Sequence, residues 1–521
     1  MTESDPPAGT PAGLRLAEPA GRWLLTAVVI GSGITFLDAT VVNVALPAIG
    51  DDLDASLGGL QWTVNGYTLT LAALILLGGA LGDRYGRRRL FVVGTVWFAV
   101  ASLLCALAPN VGILIAARAL QGIGGALLTP GSLALIQSSF APADRARAIG
   151  VWSGLAGIAG ALGPLLGGWL VEVASWRWVF AINVPLAAVV VAVAARHVPE
   201  SRDESAAGRF DWTGAALGAL GLAGVTYALI AAPEKGVSAA LLAASSAAGV
   251  AALTAFVVVQ RRSRHPMLPT RIFGSRQFTA ANLVTFVVYA ALGGVTFFLV
   301  LDLQIAAGYS PLAAGSALLP VTLVMLALSE RSGKLSERIG PRIPMTVGPA
   351  VCAAGLLLML RIGGPGDDVS YVRDVLPGVV LFGLGLATTV APLTATVLGA
   401  VEDRHSGIAS GVNNAVARAA GLLAVAALPL AAGLSGDDYR DPGAFGDGFR
   451  VALLVCAGLL AGGAVLSWLT IRSAVEPAAG PPPGPPCQVH CAVAGPPLQA
   501  LVEEPAADGP GEPQRPQSAG P

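Results

Sequence analysis

Fourteen apolar runs of about 20 residues, each long enough to cross the ~30 Å hydrocarbon core of a bilayer as a helix, constrain the fold of this chain most. Hydrophobic residues make up 54% of the 521 residues and charged residues 12%, which is too little charge to cover a soluble protein of this length. We therefore expect an all-α polytopic membrane protein. The expected spans are 23–47, 60–81, 90–108, 111–135, 147–170, 178–195, 212–232, 237–259, 278–301, 311–330, 343–362, 375–399, 407–433 and 450–471.

Two loops between these spans carry the same sequence pattern. Gly79–Arg88 and Gly333–Arg342 both read Gly-x-Leu-x-acid-Arg-x-Gly-x-Arg. Such duplication is typical of transporters built from two related halves. Eight spans separate the motifs, whereas two six-span halves would need six, so two spans are an insertion. We expect a disordered tail at 1–21, an N-terminal six-helix bundle at 22–197, two inserted helices at 211–260, a C-terminal six-helix bundle at 276–472 and a disordered Pro/Gly-rich tail at 473–521.

Basic residues give the expected orientation, because Lys and Arg favour cytoplasmic loops. With both termini inside, nineteen Lys and Arg residues fall in inner loops and six in outer loops. We therefore expect a multi-pass protein of the bacterial plasma (inner) membrane with both termini cytoplasmic. The first span follows an acidic leader and carries Asp38, so we interpret it as a retained helix rather than a signal peptide.

Two charged residues, Asp38 and Arg118, lie deep within expected spans, at similar depths of ~22 and ~20 Å from the inner edge. A charge in hydrocarbon costs at least ~2.5–3.5 kcal/mol unless it is paired or solvated, so both are proton-coupling candidates. The alternative is a static pair that fixes helix packing. No histidine lies within an expected span, so coupling would use carboxylates. Asp302 and Glu330, near helix ends, are further candidates, with interfacial solvation as the alternative.

Polar and aromatic residues within the spans are candidates for lining a substrate cavity. Aromatic rings mixed with a few amides suit amphipathic, often cationic, organic molecules. For Arg418, Asn413 and Asn414 the alternative is snorkelling or hydrogen bonding between helices. For each of the others taken alone, ordinary packing or interfacial anchoring is an equally good explanation. The candidates are Asn43, Trp62, Asn65, Tyr67, Gln121, Asn413, Asn414 and Arg418.

Glycines recur at every third or fourth position of the fifth span. Such spacing lets a neighbouring helix approach and slide, and a proline can bend the segment. The spacing alone fits either a gating role or simple tight packing, and the motif resemblance given below is what favours gating. The gating candidates are Gly163, Pro164, Gly167 and Gly168.

Five motifs stand in a fixed order along the chain: Leu37–Pro47, Gly79–Arg88, Arg118–Gly125, Gly154–Gly168 and Trp176–Pro185. Together they resemble motifs of the major facilitator superfamily, and more narrowly of its fourteen-helix drug:proton antiporters of the EmrB/QacA type. The resemblance covers about residues 22–472. It implies the major facilitator fold, two six-helix bundles with two extra central helices, and proton-driven export of small amphipathic organic molecules by alternating access.

The same resemblance implies that the first copy of the repeated loop is a cytoplasmic latch. Its residues are Gly79, Asp83, Arg84, Gly86, Arg87 and Arg88. The second copy has Glu337 for Asp83 and Pro341 for Arg87, so we expect it to be mainly structural.

The sequence contains no nucleophile–base pair, metal cluster or nucleotide-binding loop, so we expect no enzyme, no cofactor and no metal, and an ion gradient as the energy source. Expected partners are a small-molecule substrate, protons and the lipid bilayer, with the chain as a monomer. The net charge of −1 gives no indication of nucleic acid. Cys487–Cys491 is better explained as a solvated tail than as a metal site. Alternatives are an exporter of one endogenous metabolite, an uptake symporter and a transport-inactive membrane sensor.

Overall fold

The computed structural model describes residues 13–202, 210–234, 236–263, 266–363, 368–402 and 406–473. Within these ranges fourteen helices are long and apolar enough to cross a membrane, which confirms the expected number. Regular secondary structure in the described ranges is helical, apart from one isolated bridge between Leu14 and Phe140. Most of the two expected tails, including Cys487 and Cys491, lies outside the described residues.

The membrane helices are numbered in chain order. They are α1 Pro19–Leu53, α2 Leu57–Tyr85, α3 Arg87–Ala106, α4 Val111–Ser139, α5 Pro142–Val173, α6 Arg177–His197, α7 Trp212–Ala231, α8 Ala239–Arg262, α9 Arg276–Ile305, α10 Pro311–Ile339, α11 Arg342–Met359, α12 Tyr371–Gly399, α13 Ser406–Ala431 and α14 Pro442–Thr470. Helix α6 is interrupted at Ile182, α10 is interrupted after Ser316, and α12 begins with a π turn.

Polar residues that the sequence places just before the apolar runs fix where several helices begin. Ser56, Asn110 and Ser275 accept hydrogen bonds from backbone amides in the first turns of α2, α4 and α9. Asp441 does the same for α14. These caps satisfy backbone donors that have no partner within a helix, so each helix starts where its cap stands.

The two six-helix halves repeat one pattern of helix packing. In the N-terminal half α4 packs against α2 and α3, α1 packs against α5 and α6, and α3 packs against α6. In the C-terminal half the corresponding pairs recur: α12 against α10 and α11, α9 against α13 and α14, and α11 against α14. The duplication first visible in two short loops therefore extends to the packing of whole helices.

The inserted helices α7 and α8 pack against each other, and α7 also packs against α2 and α13. Since α2 belongs to the N-terminal half and α13 to the C-terminal half, the insertion contacts both halves where they meet. Helix α8 is mostly exposed or half-buried in the described structure, and its buried residues are Gly249 and Gln260.

The two halves are joined by hydrogen bonds at one end of the helices, which we call the α1–α2 end because α1 ends and α2 begins there. Gln61 Nε2 donates to the Val425 carbonyl oxygen at 2.7 Å, and the Tyr439 hydroxyl donates to the Ala55 carbonyl oxygen at 2.9 Å. Arg440 Nη2 lies 2.8 Å from Asp54 Oδ1, and this hydrogen bond raises the pKa of Arg440.

At the opposite end, the α2–α3 end, the described residues of the two halves share no hydrogen bond or ion pair. Among the described residues, the hydrogen bonds and ion pairs that join the two halves therefore lie toward the α1–α2 end.

Candidate functional site

A buried ion pair lies at the centre of the N-terminal half. Arg118 Nη1 is 2.6 Å from Asp38 Oδ2, and the two side chains are 1% and 0% exposed. Asp38 stands ~28 Å from the start of α1 and ~22 Å from its end, so the pair is far from both ends of the helix. Asp38 and Arg118, which the sequence places at similar depths, are in direct contact.

Arg118 has further partners that fix its orientation. Its Nε donates to the Thr63 carbonyl oxygen at 3.0 Å, and its Nη1 also lies 2.5 Å from Gln121 Oε1. The guanidinium stands 4.5 Å from the centre of the Tyr67 ring and 5.6 Å from that of Phe180. The cation is therefore held by a carboxylate, an amide, a backbone carbonyl and two aromatic faces.

Asp38 also accepts hydrogen bonds from two amides. Gln121 Nε2 and Asn183 Nδ2 donate to its Oδ1 at 2.8 and 3.0 Å, and both amides contact the Ser102 hydroxyl. Sequence reasoning assigned no role to Asn183 or Ser102. Asn183 stands in the Trp176–Pro185 motif, which was the available signal, whereas nothing distinguishes Ser102 from other serines in spans.

Several predicted cavity residues carry buried polar atoms that lack a protein partner in the described structure. Asn65 is fully buried, and neither its Oδ1 nor its Nδ2 is hydrogen bonded. Asn43 Oδ1 and the Tyr67 hydroxyl are also buried and unpartnered, while Trp62 is half-buried. Since buried polar groups are normally satisfied, these atoms are available to water or substrate.

The predicted cavity residues on α13 have different environments. Asn413 Nδ2 donates to Thr285 Oγ1 at 2.7 Å and to Asn282 Oδ1 at 3.2 Å, so it connects α13 to α9. Asn414 is exposed and donates to the carbonyl of Ser410 in its own helix. Arg418 is half-buried.

Asp302 is a second buried carboxylate, located at the α1–α2 end of the C-terminal half. Its side chain is 2% exposed, and its Oδ1 has no partner among the described residues. It lines a cavity of about 20 Å³ together with Gly446, Asp447 and Arg450. A cavity of this size holds about one water molecule.

Glu330 lies in a different environment from the other three coupling candidates. Its side chain is 78% exposed, and it pairs with Lys334 one turn further along α10 at 2.6 Å. The charge is balanced locally, and nothing in the described structure links it to Asp38 or Asp302.

The glycine face of α5 is divided between two environments. A side-chain carbon added at Gly163 or Gly167 would meet Thr40 or Val41 of α1, and one added at Gly168 would meet Pro311 and Leu312 of α10. Added carbons at Gly154 and Gly157, nearer the α2–α3 end, would have no atom within 4 Å. Pro164, which is buried, lies where α5 meets α10: its carbonyl oxygen approaches Gly315 closely. Helix α5 is thus tightly packed at the closed end and open at the other.

The first copy of the repeated loop makes contacts within the loop itself, with α4 and with Phe210, just before α7. Asp83 pairs with Arg87 at 2.9 Å, and Arg84 stacks on the rings of Tyr85 and Phe210. Gly79 packs on Pro130 of α4.

Glu200, which follows α6, accepts hydrogen bonds from the backbone amides of Arg88 and Arg89 and so caps the N-terminus of α3. Sequence reasoning missed Glu200, because its partner is a backbone more than a hundred residues away.

The second copy repeats the backbone of the first but changes its contacts. Gly86 and Gly340 have φ angles of +110° and +80°, a region that side chains disfavour, which explains why both loops carry glycine at this position. Arg342 stacks on Trp468 of α14 and donates to its carbonyl oxygen at 2.8 Å. The first loop is therefore held by residues that directly follow the last helix of its half, and the second by the last helix itself.

Comparison with known proteins identifies the family of this chain. The model of the Major Facilitator Superfamily matches residues 28–426. The puromycin resistance protein of Streptomyces alboniger is 36% identical over 472 residues, covering 88% of this chain and 93% of that protein. The tetracenomycin C resistance and export protein of Streptomyces glaucescens is 36% identical over 445 residues, covering 84% of this chain and 81% of that protein.

A solved structure shares the fold. A bacterial homologue of the human lysosomal transporter Spinster, in an inward-facing and occupied conformation, has a TM-score of 0.63 at 15% identity and covers 89% of this chain and 100% of that one. Fourteen membrane-length helices in the described ranges, the repeated packing and the matched family model lead to one conclusion. The chain belongs to the Major Facilitator Superfamily and is a multi-pass membrane transporter.

Proposed function

We propose that this protein is a proton-driven antiporter that exports small amphipathic organic molecules across the bacterial plasma membrane by alternating access. The observation that carries the proposal is the fully buried Asp38–Arg118 pair, whose carboxylate stands ~22 Å or more from either end of α1. Relatives named for antibiotic resistance and export support the direction and the substrate class.

Protonation of Asp38 would change the energy of the closed arrangement. Ionised, Asp38 is the only acidic partner of Arg118 among the described residues. Once Asp38 is neutral, Arg118 becomes a buried cation without a counter-ion, which is strongly unfavourable. The protein can lower this energy by moving to a conformation in which water or a substrate group reaches Arg118. Proton binding and helix rearrangement are coupled in this way.

The contacts that close the α1–α2 end are suited to repeated opening. The Arg440–Asp54 pair is 38% and 90% exposed, and such surface pairs contribute only ~0–1 kcal/mol each. The close packing of Gly168 on Pro311 and Leu312 adds a surface at which α5 and α10 can separate. We assign the gating role of Gly163, Pro164, Gly167 and Gly168 to this contact.

The α2–α3 end would close when the other end opens. Asp83 and Arg84 are the latch in this proposal, and Asp83 would exchange its local partner Arg87 for a group on the C-terminal half. The repeated loops and both termini face the cytoplasm, and Asp302 is a second proton or cation site. If Asp302→Asn transports with the same number of protons per substrate as the wild type, Asp302 is not a coupling site.

The test is efflux from cells that express the protein, with and without a protonophore. Panels of amphipathic dyes and antibiotics serve as substrates. Energy-dependent efflux that stops when the proton gradient collapses supports the proposal, and efflux that persists refutes it.

A dedicated exporter is the second candidate, since both relatives carry the name of a single antibiotic. Export of one compound from a broad panel would favour it.

A further inference from the structure

Arg418 is a charged residue in the middle of a membrane helix, and no described residue serves as its counter-ion. It is half-buried, and it forms no hydrogen bond or ion pair with any described residue. Its Cα stands ~18 Å from the start of α13 and ~20 Å from its end. An arginine side chain is too short to reach the membrane surface from that depth, so snorkelling does not explain it.

The neighbours of Arg418 place it between the two halves. One turn beyond Arg418, Gly421 packs against the backbone of Tyr289 and Gly293 in α9. Helix α13 is held against α9 by the hydrogen bonds of Asn413 and against α2 by the hydrogen bond from Gln61. The Tyr67 hydroxyl is itself buried and unpartnered in the described structure. The guanidinium therefore belongs to the region in which a substrate of the proposed function would bind.

None of the three buried acids of the described spans neutralises Arg418. Asp374, at the start of α12, pairs with its neighbour Arg373 at 2.9 Å. Asp38 is already engaged by Arg118, Gln121 and Asn183. Asp302 stands thirteen residues beyond Tyr289 on α9, which is ~20 Å along the helix. The deep charges of the described spans are then Asp38, Arg118 and Arg418, one negative and two positive.

We propose that Arg418 binds an anionic group of the transported molecule, so that this site selects amphipathic anions over amphipathic cations. The inference rests on the proposed export function and narrows its substrate class, in contrast to the often cationic substrates expected from the aromatic residues alone. A planar guanidinium pairs with carboxylate, sulfonate or phenolate oxygens through parallel hydrogen bonds. The half-buried ring of Tyr289 offers apolar area for the rest of such a molecule.

Binding of two dyes that share a xanthene ring tests this proposal. Sulforhodamine B carries sulfonates, and tetramethylrhodamine methyl ester is a cation. Fluorescence anisotropy with the purified full-length protein in detergent measures both affinities. The variants are Arg418→Gln, Arg418→Lys and, as a matched control, Arg361→Gln, which removes an exposed arginine.

The expected result is that wild-type protein prefers the anion and that Arg418→Gln weakens its binding by ~10- to 100-fold, as for loss of a charge-assisted hydrogen bond. Arg418→Lys should weaken it less, and Arg361→Gln should leave it unchanged. Arg418→Gln should also bind the cation more tightly, whereas a structural role would weaken both dyes together.

Three results would overturn the inference: no binding of the anion by wild-type protein, equal or tighter binding of the cation, or an unchanged anion affinity in Arg418→Gln. The protonophore assay distinguishes these results from failure of the export function. Protonophore-sensitive efflux of cations with no dependence on Arg418 would retain the exporter and reject the anion site.

Discussion

Replacement of Gly168 by alanine should open the α1–α2 end. A carbon added there would stand 2.6 Å from the Leu312 Cα and would also collide with the Pro311 carbonyl oxygen. Both are backbone atoms of α10, so neither can move away as a flexible side chain could. Over-packing of this kind costs ~1–3 kcal/mol, which corresponds to a ~5- to 150-fold shift in the ratio of closed to open protein.

Gly157→Ala is the matched control, because an added carbon at Gly157 meets no atom within 4 Å. Both substitutions make the same change in the same helix, so their effects on helix propensity are similar. The contrast between them isolates the contact with α10.

Spin labels at Asp51 and Asp437, exposed on opposite halves at the α1–α2 end, report the opening in a cysteine-free background. Pulsed electron resonance should show a longer-distance population for Gly168→Ala and an unchanged distribution for Gly157→Ala. Identical distributions for the two variants would refute the conclusion that Gly168 sets the closed contact.

Two further predictions concern the repeated loop. Glu200→Gln should lower the stability of the protein by ~0.5–2 kcal/mol in thermal unfolding, since it weakens the cap on the N-terminus of α3, and an unchanged midpoint would show that the cap contributes nothing. Asp83→Asn should slow transport while dye binding to the purified protein stays intact. If binding is lost instead, the loop maintains the fold rather than gating it.

Much of the fold could be predicted because its signals are long and redundant. Apolar runs that match the bilayer gave the number of helices, and the repeated loop indicated two related halves before any packing was known. The rise of an α-helix placed Asp38 and Arg118 at one depth, and they form an ion pair. Because depth in the membrane follows from chain position alone, this part of the site could be predicted from the sequence.

The rest of the site depends on helix rotation, which chain position does not give. Asn183 and Ser102 contact the Asp38–Gln121 network because α6 and α3 turn those faces inward. Glu330 has the same residue type as a buried coupling carboxylate, yet its helix turns it outward to Lys334. The glycines of α5 look uniform in sequence, and only the packing separates a closed half from an open one.

The substrate class could not be predicted from the sequence for the same reason. Aromatic residues and amides in the spans suit cations, but that expectation considers residue types and not the groups that each residue contacts. Arg418 contributes a net positive charge to the site only if no acidic side chain lies beside it. Its neighbours among the described residues follow from helix packing and not from the sequence.

Proton-driven transport by Asp38→Asn tests the central claim most directly. Membrane vesicles carry the wild type, Asp38→Asn or the control Asp52→Asn, which changes an exposed carboxylate near the end of α1. Accumulation of an identified substrate under an imposed pH gradient is compared with its exchange at equal pH. We predict that Asp38→Asn loses gradient-driven accumulation but retains exchange, while Asp52→Asn keeps both. Full accumulation by Asp38→Asn, or loss of exchange together with accumulation, would contradict the account, the second because the pair would then serve helix packing rather than coupling.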